Sequence, residues 1–344
     1  MEDFKPFEGR KPDDPERKNK EDFYDKLLPK ESKLWAPIRR WEKRMGYLTP
    51  IIWFNVGFIF SLHAITIAYV YYFFASGNRI KLQTWLIGFA YYTLSGFGLT
   101  AGIHRCWSHR AFKAKLPVKI LMLIGYAACG QIPIYNWVRD HRIHHKMTET
   151  TSDPHDATRG FFFSHVGWLL MKKHPHVLAA GAKLDMSDIT SDPWLVYFDK
   201  HFTLIKTIWC YVVPTLLPMW FAGETFSAAI VVTMIRFMLI LHGTWSVNSF
   251  AHLYGARPYN KNIKATNNHG VSLITLGEGA HNFHHTFPWD YKSTENTLFS
   301  FTTIILNVFA WLGLVYDAKV ASASLIKKTC DRLGERSSRK LLTS

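Results

Sequence analysis

Residues 51–74 read IIWFNVGFIFSLHAITIAYVYYFF, twenty-four positions without one Asp, Glu, Lys or Arg. A bilayer core of about 30 Å needs roughly 20 apolar helical residues, and this run supplies them. The chain has 344 residues and is 48% hydrophobic, enough for a large soluble core or a membrane body, so the distribution of apolar residues must decide. Three more predominantly apolar runs do so, at 83–103, 203–221 and 226–249. Short polar turns, ASGNRIK and AGETF, join them as two helical hairpins, and Trp53, Tyr71, Tyr72 and Trp220 stand near run ends, where aromatic residues favour the interface.

Lys33, Arg39, Arg40, Lys43 and Arg44 precede the first run, which places the N-terminus in the cytosol. Arg79 and Lys81 oppose that rule, but the longer flanks carry more basic residues. The stretch LPVKILMLIGYAACGQIPIYNW, 116–137, contains Lys119, Gly130 and Pro133, and spanning would put the histidines on either side of it on opposite membrane faces. It is read as an interfacial or re-entrant helix. The fold expected is all-α: an integral membrane protein with four spans, a membrane-embedded domain over 49–320, a mostly disordered cytosolic tail over 1–48 and a cytosolic tail over 321–344. No cleavable signal peptide is legible at the N-terminus, so the first span would itself direct insertion.

The formal charge of +15 calls for a polyanionic partner: nucleic acid, anionic head groups or a phosphorylated substrate. Nucleic acid is the weakest, because no zinc-finger, glycine-rich or aromatic-basic signature accompanies the charge. Cys106, Cys129, Cys210 and Cys330 are scattered, as suits reduced thiols in a cytosol-facing protein rather than a redox pair or zinc site.

With four spans, residues 104–202 and 250–344 fall on the N-terminal side, and so does every histidine cluster. HRIHHK at 141–146 and HNFHH at 281–285 each place three histidines at i, i+3 and i+4, one face of a helix, so each triplet reads as half of a metal cage. With HRCWSH at 104–109 and His252, the candidate ligands are His104, His109, His141, His144, His145, His252, His281, His284 and His285. His155, His165, His174, His176, His201 and His269 are read as ordinary polar residues. Nine imidazoles exceed the needs of one ion and point to two. Zinc, copper, iron and nickel all suit imidazole, so ligand type alone leaves the metal open.

The boxes HRCWSH, HRIHH and HNFHH, with NSFAH at 248–252, GFFFSHVGWLL at 160–170 and the setting GEGAHNFHHTFP, closely resemble the membrane acyl-CoA desaturases of the animal stearoyl-CoA, delta-9 type. The resemblance runs from about residue 50 to about residue 318. It implies a cytosolic helical cap over the four spans and two irons bound by the nine histidines, with Asn248 holding a water on one of them. It also implies a cis double bond placed in a long-chain saturated acyl-CoA, with dioxygen as co-substrate, in the endoplasmic reticulum membrane with both termini cytosolic. Unactivated C–H bonds have no useful acidity, so metal and dioxygen must supply the oxidant, which excludes redox-inert zinc on this reading. No fused haem domain is legible, since HPHV at 174–177 is not a haem-binding HPGG. The electron donors implied are therefore a separate cytochrome b5 and its reductase, with membrane lipid as surroundings and no nucleic acid.

Family head-group contacts fall on Asn55, Arg139, Asp140, Lys172 and Lys173, those near the bend of the acyl tunnel on Trp137 and Trp245, and those at its far end on Tyr92 and Gly96. Asp140 and Glu278 are candidates to orient metal-binding imidazoles. Ordinary readings compete: lysines snorkelling to lipid head groups, aromatic residues packing helices, acids capping them. Ile132, Pro133, Phe54 and Cys106 depart from the family pattern, which leaves room for a different bond position, as in desaturases that make pheromone precursors. A membrane di-iron hydroxylase shares the boxes. A haem carrier or metal transporter would need more than His63 and His242 inside its spans, and a pure scaffold has no use for paired triplets.

Overall fold

The computed structural model describes residues 35–295 and 300–335. Four helices are long and apolar enough to cross a membrane: Trp53–Ala75, Leu82–Ser108, Phe202–Ala222 and Phe226–Leu253. At about 1.5 Å per residue, each matches or exceeds a bilayer core of about 30 Å. The first is apolar around its whole circumference and exposes Phe58, Phe60, Ile65, Ile67 and Tyr71, a surface that lipid would cover. The second and fourth run past their expected ends to Ser108 and Leu253, so His104 and His252 belong to the final turns of span helices rather than to the segments after them.

The chain divides into two compact units, one of residues up to 62 with 143–184, the other of 63–142 with the residues from 185 onward. In the larger unit, the turns of the two hairpins are clasped together. Glu224 accepts from the Lys81 amide at 3.0 Å and the Thr84 hydroxyl at 2.8 Å, while Lys81 Nζ donates to the carbonyls of Ala222 and Gly223.

The ambiguous stretch forms two helices, Leu116–Ala128 and Ile134–Met147. Gly130, at φ +69°, ends the first, and Pro133 precedes the second. The first has 13 residues, roughly 20 Å, and is too short to cross. It lies against the second span, where Gly98 and Gly125 meet: a Cβ on Gly98 would fall 2.1 Å from the Tyr126 nitrogen, so neither position has room for a side chain.

Arg236, buried in the middle of the fourth span, was not among the residues singled out from the sequence. Its Nη1 donates to the Ala128 carbonyl at the end of the short helix (2.8 Å) and to Ser95 Oγ, and its Nη2 donates to the Cys210 carbonyl at 2.6 Å. Cys210 stands four residues before Pro214, which has no N–H to offer that carbonyl. One guanidinium thus satisfies a helix end and a proline-orphaned carbonyl, groups that an apolar surround would otherwise penalise.

The smaller unit holds a helix, Ala36–Arg44, within the tail expected to be disordered over 1–48; residues 1–34 lie outside the described residues. The helix persists because buried Glu42 accepts from Arg39 Nη1 at 2.8 Å and from Trp53 Nε1 at 2.9 Å. In the same unit Asn55 Nδ2 donates to the Leu169 carbonyl at 2.7 Å, and Ile51 bridges to Met171.

The expected C-terminal tail, 321–344, likewise begins as a helix, Ala323–Leu333, whose Ile326 and Cys330 pack on Tyr259, Phe283 and Phe287; residues 336–344 lie outside the described residues. Two short strands, Lys113–Ala114 and Val315–Tyr316, pair antiparallel and are the departure from an all-helical chain.

Replacing Arg236 by Met is expected to cost about 3 kcal/mol or more, since it strands several buried acceptors at about 1–3 kcal/mol each. A lower thermal midpoint and lower folded yield in detergent would show this; an unchanged midpoint would mean that the carbonyls find other donors.

Candidate metal centre

The first box, HRCWSH, separates its histidines by five residues. In an α-helix, at about 100° per residue, they would point some 140° apart. The second span avoids this by changing, from Gly98 to Ser108, into a π-helix, closed by i→i+5 bonds such as that from the His109 amide to the His104 carbonyl at 3.2 Å. Both rings then face the same way, with centroids 5.0 Å apart.

Within the larger unit seven of the nine candidate histidines form two groups. Ring nitrogens of His104, His109, His141 and His284 lie within 4.8 Å of one another, and so do those of His252, His281 and His285. The Nε2 atoms of His104 and His284 are 2.9 Å apart, those of His109 and His141 2.8 Å, and those of His252 and His281 3.0 Å. The third-box triplet, expected as half of a cage, divides between the two groups. In the short helix His281–Thr286, His284 turns to the first group, while His281 and His285 join His252. Three side chains at i, i+3 and i+4 share a face, yet neighbours on that face join different groups. The four described cysteines are free and buried, and none belongs to a group. Imidazole donors without thiolate fit iron, among other borderline metals.

The residues between the histidines anchor them. Asn282 is fully buried; its Oδ1 accepts from the Tyr259 and Asn260 amides, and its Nδ2 donates to the carbonyls of Asn260 and Ala265. Phe283 packs against Tyr259 and Phe287. Glu278 lies 3.1 Å from His104 Nδ1 and also pairs with Arg105, which is fully buried and donates to Tyr291 O and Thr303 Oγ1. Burial opposes ionisation of Glu278, but the Arg105 charge outweighs it, with help from His104, and its pKa falls to about 2. Burial, with the neighbouring rings of His104, His109, His281 and His285, holds His284 well below the ordinary imidazole range, so it stays neutral and ready to ligate.

His144 and His145 follow on the next turn of the Ile134–Met147 helix, in the smaller unit, with ring centroids 5.6 Å apart. His144 Nδ1 lies 2.9 Å from Asp153 Oδ1. The sequence reading missed Asp153, since no helical spacing relates it to His144; SDPHD after the second box was its sole signal. His155, read as an ordinary polar residue, is buried with its ring 4.3 Å from that of His144, and burial pushes its pKa down to about 3. Lys172 and Lys173 line a cleft in this unit with Arg159, Asp156 and His174.

Of the other candidates, Trp137 stacks on His141 at 4.9 Å, and buried Trp245 lies against His63 and His242, whose Nε2 atoms are 3.0 Å apart. Tyr92 donates its hydroxyl to the Ile274 carbonyl, and Gly96 leaves room for Leu276. Asp140 pairs with Arg139 at 3.1 Å. Asn248 ends the Phe226–Asn248 helix, four residues before His252.

Substituting Glu278 by Gln leaves Arg105 buried without its counter-charge, at an expected cost of about 3–5 kcal/mol. A carboxyl with a lowered pKa contributes stability above its unfolded value, near 4.5, and loses it as pH falls toward 2. The deficit in thermal midpoint should therefore be the same at pH 6 and pH 8; a deficit that changes between them would assign it to another group.

The family model described as fatty acid desaturase matches residues 82–294. The chain is 47% identical to the Acyl-CoA Delta12-desaturase of Acheta domesticus over 85% of this chain and 82% of the relative. It is 46% identical to the Stearoyl-CoA desaturase of Homo sapiens, over 74% and 72%. With the Acyl-CoA Delta(11) desaturase of Spodoptera littoralis it shares 43% identity, over 83% and 84%. A match over well more than half the chain, covering all three histidine boxes, places the protein in the fatty acid desaturase family.

Proposed function

We propose that this chain is an acyl-CoA desaturase that places a cis double bond at the delta-9 position of palmitoyl- or stearoyl-CoA. The observation that carries this reading is the pair of adjoining imidazole groups in a chain of the fatty acid desaturase family. The proposed ligands of two irons are His104, His109, His141, His144, His145, His252, His281, His284 and His285, with Asn248 acting through a water. Two irons bound there, with dioxygen, supply the oxidant for the unactivated C–H bonds. Glu278 and Asp153 accept hydrogen bonds from the Nδ1–H groups of His104 and His144, which leaves each Nε2 lone pair for metal.

Reduction of dioxygen to two waters takes four electrons. The two C–H bonds broken provide two; a cytochrome b5 recharged by its reductase provides the others. The charge of +15 suits docking of an acidic carrier.

The coenzyme A head group is assigned to Asn55, Arg139, Asp140, Lys172 and Lys173, with its phosphates on the cations; Arg159, Lys172 and Lys173 in one cleft support this. Burying a methylene yields about 0.8 kcal/mol wherever it lies, so an apolar tunnel grips the chain without selecting a carbon. Selection falls to the distance from the anchored head group and to the side chains along the tunnel, assigned as Trp137 and Trp245 near the bend and Tyr92 and Gly96 at the end. The even number of candidate spans and the basic residues before the first support termini and histidines in the cytosol, and the family resemblance assigns the membrane to the endoplasmic reticulum. A second reading keeps the chemistry and moves the bond: relatives named as Delta12 and Delta(11) desaturases, with Ile132 and Pro133 as departures, favour it.

Expression in a desaturase-deficient host, with derivatised fatty acids read by gas chromatography and mass spectrometry, tests both readings. The expected result is a delta-9 monoene that His284→Ala abolishes. A monoene at another carbon selects the second reading; a hydroxy acid, or no product from folded, iron-loaded protein with a working donor, overturns desaturation.

A further inference from the structure

Asp188 sits in the larger unit on a four-residue helix, Ser187–Thr190. Two guanidinium groups grip its carboxylate. Arg110 donates Nε to Oδ2 and Nη2 to Oδ1, both at 2.8 Å; Arg142 donates Nη1 to Oδ1 at 3.0 Å and Nη2 to Oδ2 at 2.6 Å. Each arginine directly follows a histidine of the first group: Arg110 follows His109, and Arg142 follows His141. Arg142 also reaches the end of the π-helix, donating Nη2 to the Trp107 carbonyl at 2.8 Å and Nε to the Ser108 carbonyl at 3.3 Å. Arg110 adopts φ +51°, a left-handed conformation unfavourable to a long side chain, and the two-point bond to Asp188 holds it there.

Three segments are joined by this arrangement: the end of the second span, the second-box helix and the segment around 188. On the other side of the two arginines, the Nε2 atoms of His109 and His141 stand 2.8 Å apart. A single N–H···N bond between two neutral imidazoles does not fix their orientation, whereas a carboxylate shared by two forked guanidinium groups fixes both the distance and the orientation of the segments that carry them. Arg142 is 11% exposed and Asp188 34%, so solvent screens the inner pair only in part. Burial opposes ionisation of Asp188, but the bonds from both arginines hold its pKa well below the usual carboxylate range, and the clamp stays charged wherever the imidazoles are neutral.

We infer that Asp188 is a positioning residue for the metal centre: through Arg110 and Arg142 it sets the separation of His109 and His141. The inference rests on the metal reading given above. A purely structural role would be to dock the segment 185–192, which is also held by the ion pair of Asp192 with Lys119 at 2.9 Å. Asp192 therefore provides the control.

The test uses full-length protein in detergent, loaded with ferrous iron without oxygen and then mixed with a ferrous chelator, alongside thermal unfolding of the metal-free form. Asp188→Asn should release iron about tenfold faster, the lower end of what loss of an outer partner costs a metal site. Asp188→Glu should recover much of the difference, and Asp192→Asn should release at the wild-type rate even where its thermal midpoint falls. Equal release from Asp188→Asn and wild type overturns the inference, as does equal acceleration by Asp192→Asn. If Asp188→Asn does not fold, Arg110→Lys, altered at a half-exposed side chain, must accelerate release, and wild-type release from it overturns the inference. Wild-type protein that retains no iron overturns the metal reading, and the inference with it.

Discussion

Imidazole rings with nitrogens about 3 Å apart can share single N–H···N bonds, but those bonds alone do not fix so many rings in one place, and the groups around the centre of this protein answer that constraint. The histidines of the larger unit come from the ends of two spans, from a short helix after a break and from a six-residue helix late in the chain. Each source is held from behind. Glu278 and Arg105 hold His104, Asn282 and Phe283 hold the third box, and the arginines after His109 and His141 meet on Asp188. The rings are crowded because their backbones are fixed, and the fixing groups are charges and amides buried where a missing partner is expensive.

The same economy extends into the spans. Arg236 is costly in an apolar surround, yet its donors meet carbonyls that a helix end and a proline leave unserved. It thereby fixes the short Leu116–Ala128 helix against the second span, the helix from which the first-box histidines extend. Closeness at Gly98 and Gly125 serves the same joint. Arg236, polar and within a span, therefore belongs to the support of the centre.

Much was legible in the amino-acid order. Span length is set by bilayer thickness and needs only a count of apolar residues, so the four runs could be read directly. The short helix at 116–128 was legible from its breakers, Gly130 and Pro133. The histidine clusters were legible as candidate ligands because a residue that is seldom clustered has few structural uses when it is. Helices at Ala36–Arg44 and Ala323–Leu333 were missed because they owe their order to Glu42 meeting Trp53 and to Cys330 meeting Phe283 and Phe287, contacts that local composition does not record.

What the sequence determined by itself was therefore the inventory: which segments must leave water, and which side chains can ligate. Tertiary structure decided the grouping. No spacing rule separates His284 from His281 and His285, because three residues on one helix face look equivalent until a second element approaches. Nor does i, i+5 spacing reveal that the second span ends in a π-helix, a choice made where that span packs. Asp153, Arg105, Asp188 and Arg236 were unreadable for the same reason: a charged residue gains its role from the partner it meets, and those partners lie far along the chain or beyond any helical period.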